Sequence, residues 1–347
     1  MTSDLSSLPD LPPAWPVSAR EVYAGLRSYR IVGASACIDA IMHALGDVAR
    51  TAAERPGGDV ARDVVRAGEM FCALKPDTAA YVNAVRWVTA DLQAEPGAPT
   101  RVAAAVTRRI DAYQRHQQRS LSRIADDGAT LLAPRGRVLL HDYSSTVLAV
   151  LAEAGRRGQR LHVVVTAGQP VDQGPRVAAV AASYNHHVTF VPDTAIGRIM
   201  PDVDVVLTGV ETLYSNGDVA NTIGTYPIAL VAREAKTPVY GVTECIKIHP
   251  TATGVRAADL TARLLHSWPE AASALPAGTI IRTEVLDLTP AHLVTGYITD
   301  AGVLAPNQMD VAVQWLRSQD KPESRPTAVQ AGTPEGKTGT QVGNKGT

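Results

Sequence analysis

Three short stretches hold side chains whose types and spacing suit chemistry on a small anionic substrate. The first is His141-Asp142-Tyr143-Ser144-Ser145-Thr146. It directly follows an apolar run that reads as a strand and directly precedes a run with helical periodicity. Three consecutive hydroxyls at a helix N-terminus suit a phosphate, because unpaired backbone N–H groups and the positive end of the helix dipole converge there. Ser144 or Ser145 would also serve as an ordinary helix cap, the commoner use of such residues. The second stretch, Gly209 to Thr225, places Glu211 at the carboxyl end of a wholly apolar run. An Asn216-Gly217 turn and a polar approach to another helix follow. A carboxylate there can act as general acid or base where burial raises its pKa, whereas a solvated loop carboxylate cannot. The third stretch, Thr243 to Pro250, offers Lys247 as a phosphate cation. A lone loop lysine is more often merely solvated. Cys245 reads as a packed small hydrophobe, since nothing nearby in sequence marks a partner base.

Other chemistries lack their marks. His186-His187 has no metal-ligand spacing, and there is no Walker loop, GxGxxG or GxSxG. No metal or cofactor is therefore expected. Aromatic content is 5%, with no basic–aromatic interleaving, and the formal net charge is -1. Neither nucleic acid nor an anionic membrane is favoured as a partner, so any anion site must be local. No apolar run reaches the roughly 18 residues of a membrane span. The N-terminus lacks the basic-then-apolar order of a signal peptide. Cys37, Cys72 and Cys245 are far apart, which argues for a reducing compartment without disulfides. A cytoplasmic protein is expected.

The elements that must position these residues form two groups. Residues 1–17 read as a flexible arm. Residues 18–127 read as a bundle of about five helices, with Ser18 as N-cap and Glu21 completing a capping-box spacing. Residues 128–317 alternate apolar strands, at 137–140, 161–165, 188–191, 203–207 and 238–242, with amphipathic helices. That pattern predicts a mainly parallel sheet covered on both faces, with ligands beyond the carboxyl ends of its strands. Residues 251–275 read as an insertion or a lid, and 318–347 as a disordered tail. The fold class is thus α/β: an N-terminal helical bundle and a C-terminal Rossmann-like domain.

The strings LLHDYSSTVLAVL, VVVTAGQPVDQGPRVA, VTFVPDTAIGRIM, VDVVLTGVETLYSNGDVANTIGTYPIALVARE and PVYGVTECIKIHP occur in a recognisable order. Together they resemble the family of methylthioribose-1-phosphate isomerase, ribose-1,5-bisphosphate isomerase and the alpha, beta and delta subunits of initiation factor 2B. The likeness runs from about Ile124 to Pro250 and resumes over residues 286–306, with NGDVANxIGT its most specific part. It implies a phosphorylated sugar or nucleotide as ligand, and a homodimer or higher homo-oligomer. The enzymes turn an aldose 1-phosphate into a ketose 1-phosphate with a cysteine and an aspartate. Here those positions hold Asp142 and Glu211. The family lysine after Asn221 is Thr222, an arginine is Gln169, and an Arg-Gly-Ala near the N-terminus is Val32-Gly33-Ala34. Lys247 matches a phosphate-contacting lysine, and the segment around Lys75 corresponds to one that touches the phosphate end of the ligand. Tyr143, Ser144 and Glu211 look more like the alpha regulatory subunit. The resemblance therefore implies either a divergent isomerase using Asp142 and Glu211, with Gly33, Ala34, Lys75, Tyr143, Ser144, Ser145, Gln169, Asn221, Thr222 and Lys247 around the ligand, or a non-catalytic ligand-binding regulatory protein.

Overall fold

The computed structural model describes residues 11–12, 14–28, 30–31, 33–75, 78–95, 97–249, 275–276, 278–279 and 285–318. The expected tail, most of the expected arm and nearly all of the stretch at 251–275 lie outside these residues.

Five α-helices open the chain: α1 (Val17–Arg27), α2 (Ala34–Glu54), α3 (Val60–Ala73), α4 (Ala79–Thr89) and α5 (Pro99–Leu132). Their apolar positions recur at helical spacing, and Ile38, Ile41, Leu45, Val64, Phe71, Val106 and Tyr113 close one core. Fully burying one such side chain contributes about 2 kcal/mol. Ser18 is not the cap of α1. Pro16 takes that place with extended backbone, and the Ser18 hydroxyl instead donates to the Asp47 carboxylate on α2. Proline already fixes the extended backbone a cap requires, which moves the helix start ahead of the serine. Helix α5 runs past Asp127 to Leu132, because Ile124, Ala129 and Leu132 continue its buried stripe. It lies so close to the next helix that a Cβ on Gly128 would stand 2.4 Å from Val150 Cγ2.

The rest alternates strand and helix: β1 (Arg137–His141), α6 (Ser145–Arg156), β2 (His162–Thr166), α7 (Gly174–Ser183), β3 (His187–Val191), α8 (Ile196–Ile199), β4 (Val205–Thr208), β5 (Thr212–Tyr214), β6 (Val219–Thr222), α9 (Thr225–Ala235), β7 (Val239–Val242), β8 (Ile248–His249), β9 (Leu286–Thr289), β10 (Gly296–Thr299), β11 (Gly302–Leu304) and α10 (Met309–Ser318). Seven strands form one sheet in the order β11-β10-β7-β4-β1-β2-β3. All its pairings are parallel except β10 with β11. The mainly parallel sheet matches the expectation from the apolar runs. The chain winds outward from β1 through β2 to β3, then returns to the other side of β1 with β4. The switch point of the sheet, where a crevice opens between loops that diverge, therefore lies between β1 and β4. A second, four-stranded sheet, β8-β5-β6-β9, stands beyond that crevice. Among the described residues no helix is long and apolar enough to cross a membrane.

Candidate active site

Asp142 follows β1 and Glu211 follows β4, so the two carboxylates flank the switch point. Asp142 carries a positive φ of 71°, a region that non-glycine residues visit rarely and that recurs at functional sites. The strand ends come close here, since a Cβ on Gly209 would meet the Ser144 Cβ at 2.7 Å. Thr222, the last residue of β6, donates its hydroxyl to Asp142 Oδ2. Burial pushes the Asp142 pKa up, the Thr222 hydroxyl, the Tyr143 amide and His141 pull it down, and the Glu211 carboxylate adds repulsion. The net direction is upward. Glu211 is half-buried, and its amide donates to the Ala220 carbonyl at 3.0 Å.

Behind Asp142, His141 is 2% exposed and fixed at both nitrogens. Nε2 lies 2.8 Å from the Ile223 carbonyl and Nδ1 lies 2.7 Å from Thr166 Oγ1. A carbonyl only accepts, so Nε2 carries a hydrogen and donates to Ile223. Asn221 is buried, and its amide donates to Thr208 Oγ1 (3.1 Å) and Thr225 Oγ1 (3.0 Å), which ties β6 to the end of β4.

Two helix N-termini converge on the same space. Ser144 caps α6, its Oγ accepting from the Val147 amide at 3.4 Å, so the capping role is realised. Thr146 is turned inward onto the Val242 carbonyl at 2.8 Å. The Ser145 Oγ lies 3.3 Å from Ser35 Oγ, on the first turn of α2. Gly33 precedes α2 with φ 85°, has open space around it and supplies no side-chain cap, and Ala34 is the first residue of the helix. The first turns of α2 and α6 thus meet at the two serines, and unpaired amides at a helix N-terminus favour an anion.

The remaining candidates divide. Cys37, on α2, is buried and its thiol pKa is raised chiefly by burial, with smaller effects from Tyr81, Lys75 and Glu211. Lys75, from the end of α3, and Glu211, from β4, therefore both approach this one turn of α2. The Lys75 ammonium also stands 5.7 Å from the Tyr81 ring centroid. Tyr143 lies under the guanidinium of Arg176, 4.0 Å from ring centroid, and Arg176 Nη2 donates to its hydroxyl at 3.3 Å. Gln169 is exposed, and its amide donates to Asp172 Oδ1 at 3.1 Å rather than meeting either carboxylate. Lys247 is 8% exposed, and its ammonium donates to the Val210 carbonyl at 2.8 Å. It stands behind the Glu211 loop. Sequence reasoning singled out neither Ser35 nor Cys37 as a site residue, although Ser35 directly follows the Val32-Gly33-Ala34 stretch that the resemblance marked. It also passed over Glu244, although Glu244 follows the apolar β7 just as Glu211 follows β4. Among the described residues no cluster of His, Cys, Asp or Glu is arranged to hold a metal ion.

A helical bundle docked on a parallel sheet, with carboxylates at its switch point, is the kind of arrangement in which α/β proteins bind small molecules. Residues 30–306 match the Initiation factor 2 subunit family, and the chain belongs to that family. It is 29% identical to the ribose 1,5-bisphosphate isomerase of Haloterrigena turkmenica, an alignment covering 86% of this chain and 92% of that protein. It is 30% identical to the methylthioribose-1-phosphate isomerase of a Roseiflexus species, over 83% of this chain and 87% of that one. The fold matches the crystal structure of the translation initiation factor eIF-2B of Pyrococcus horikoshii OT3 with a TM-score of 0.71 at 23% identity, covering 85% and 99% of the two chains.

Proposed function

We propose that this chain is a divergent sugar-phosphate isomerase that converts an aldose 1-phosphate to the ketose 1-phosphate with Asp142 and Glu211. The observation that carries the reading is the pair of carboxylates at the switch point. One has its pKa raised by burial and by the other. Two carboxylates in differing environments can divide the acid and base roles between them. Phosphate on O1 keeps the sugar in its ring. Asp142, in its acid form, gives a proton to the ring oxygen as the bond from C1 to that oxygen breaks. The hydrogen on C2 passes to C1, while Glu211 takes the proton of the 2-hydroxyl and C2 becomes the ketone. One proton leaves the protein and one returns, so the step balances. The phosphate sits between the N-termini of α2 and α6, with Lys75 at its edge.

Thr222, Gln169 and Val32 supply no cations where the family has them, which supports a substrate with a single phosphate. The same losses favour a second reading, a regulatory subunit that binds the ligand without turnover and passes the signal to a partner. A homodimer or higher homo-oligomer is proposed in either case. Incubating the protein with ribose 1-phosphate, ribose 1,5-bisphosphate and methylthioribose 1-phosphate, and following the ketose carbonyl by 13C NMR, tests the reading. Ketose from one of them supports the isomerase. Thermal stabilisation by a ligand that is not turned over supports the regulatory subunit.

A further inference from the structure

The cap of α9 comes from a distant strand. Gly224, at the N-cap position, has a φ of 105° and no side chain to close the first turn. Asp287 of β9 closes it instead, its Oδ2 accepting the amides of Gly224 at 2.8 Å and Tyr226 at 3.1 Å. A carboxylate there satisfies amides that the helix leaves unpaired and meets the positive end of the helix dipole. The other oxygen, Oδ1, is buried and has no partner among the described residues. All the hydrogen bonding of this side chain therefore goes to the one turn.

Strand register sets this aim. β6 and β9 run antiparallel, and Asn221 lies directly opposite Asp287. Opposed residues of such a pair project on the same face. Both side chains reach the start of α9: the Asn221 amide donates to Thr225 Oγ1 at 3.0 Å, and that hydroxyl donates to the Thr222 carbonyl at 2.7 Å. Thr222, one residue along the strand, projects on the other face. There its hydroxyl donates to Asp142 Oδ2. The Ile223 amide donates to the Val285 carbonyl at 2.9 Å, and the Ile223 carbonyl accepts from His141 Nε2 at 2.8 Å. Thr222, Ile223 and Gly224 thus hold Asp142 and His141 on one side and are held by β9 and the residue before it on the other.

We propose that Asp287 is a positioning residue for Asp142, acting through the segment from Thr222 to Gly224. The cap fixes Gly224, and the fixed Gly224 sets the Ile223 carbonyl on the His141 ring and the Thr222 hydroxyl on Asp142. Each link is a hydrogen bond or a peptide bond, and none requires a change of charge. Moving a reacting group by roughly 1 Å can cost about 100-fold in rate, so a cap two residues from Thr222 is close enough to matter. This inference rests on Asp142 being the acid of the proposed isomerase, and one arm of its test does not depend on turnover.

The test follows the His141 ring proton at Nε2 by 1H–15N NMR of the full chain, beside turnover and binding of ribose 1-phosphate. In the unsubstituted protein that proton should be resolved at pH 7 and exchange slowly with water. Asp287→Ala should shift it or broaden it away. The same variant should lower kcat about 10- to 100-fold and change the Kd of the sugar phosphate by less than about twofold. Asp287→Asn keeps an acceptor for both amides and should restore the resonance and most of the rate. A ring proton that exchanges freely in the unsubstituted protein, or one that Asp287→Ala leaves unmoved, overturns the proposal. So does a rate lost equally in Asp287→Asn. The first of these observations needs no variant, so poor folding of Asp287→Ala does not shelter the idea. If ketose never forms yet the ring proton responds as stated, the isomerase reading fails and the positioning of Asp142 stands. If ketose forms as fast in Asp287→Ala as in the unsubstituted protein, the positioning role fails and the isomerase reading stands.

Discussion

The Thr222 hydroxyl donates to Asp142 Oδ2, joining the end of β6 to the end of β1 across the switch point. The bond favours the charged form of Asp142 and partly offsets its burial. Replacing Thr222 by Val should therefore raise the Asp142 pKa further. Replacing it by Lys should place a cation beside Asp142 and lower the pKa. In the proposed mechanism Thr222→Lys favours the ionised form of Asp142 and depletes the acid. Turnover at pH 7.5 should fall about 100-fold, with activity recovering towards acid pH. A pH–rate profile identical to that of the unsubstituted protein would break the link between Thr222 and the acid.

Lys75 tests the anion site from the helical side. Removing one charged partner from a phosphate costs about 1.5–3 kcal/mol, so Lys75→Met should weaken binding of ribose 1-phosphate by about 10- to 100-fold. Calorimetric titration reads this directly, and the folded stability should stay within about 0.5 kcal/mol, as for other partly exposed side chains. Unchanged affinity would move the phosphate away from α2.

Asp287 gives a pH dependence of stability with a definite sign. Its Oδ2 accepts the amides of Gly224 (2.8 Å) and Tyr226 (3.1 Å), capping α9 from β9, yet burial raises its pKa to about 6. The unfolded carboxyl titrates near ~3.9, so the native state holds the proton more tightly. The stability contributed by this group is full below about pH 4 and is lost as pH rises through about 6. Glu244 adds the same trend up to about pH 7. Asp287→Asn keeps an acceptor for both amides and cannot ionise. Relative to the unsubstituted protein it should gain about 1–2 kcal/mol between pH 4.5 and pH 7, read from urea unfolding at the two values. A constant difference across that window would refute the assignment.

Gly224 permits the bend that sets His141. Its φ is 105°, and a Cβ there would stand 2.6 Å from the His141 ring. Gly224→Ala should cost about 2 kcal/mol or more, from the strained backbone and from displacement of a buried ring. Because that ring backs onto Asp142, turnover should fall further than the loss of folded protein explains. Equal losses of both would make the effect purely one of stability.

The central sheet was legible because β1, β2, β4 and β7 are buried on both faces and read as unbroken apolar runs. The second sheet was not. Its strands are as short as Ile248–His249, and its β6–β9 pairing joins distant segments such as Asn221 and Asp287. In that region the Asn216-Gly217 turn, which joins β5 to β6, and the apolar run reaching Leu288, which falls on β9, carried local signals. At the site, Asp142 and Glu211 announced themselves as acids after apolar strands. Lys247 did too, but nothing local reveals that its ammonium is buried against Val210. Gln169 was marked by position in a motif, and its side chain turns to Asp172. Ser35 and Cys37 enter from α2, whose sequence beyond the marked Gly33-Ala34 shows only helical periodicity.

The most direct test of the account is single-turnover 13C NMR with ribose 1-phosphate labelled at C2, comparing the unsubstituted protein with Asp142→Asn and Glu211→Gln. The account predicts a ketone resonance at C2 with the unsubstituted protein. Each variant should bind the sugar phosphate with similar affinity and form ketone at least 100-fold more slowly. Ketone forming at the same rate in both variants would contradict the proposed chemistry of the two carboxylates.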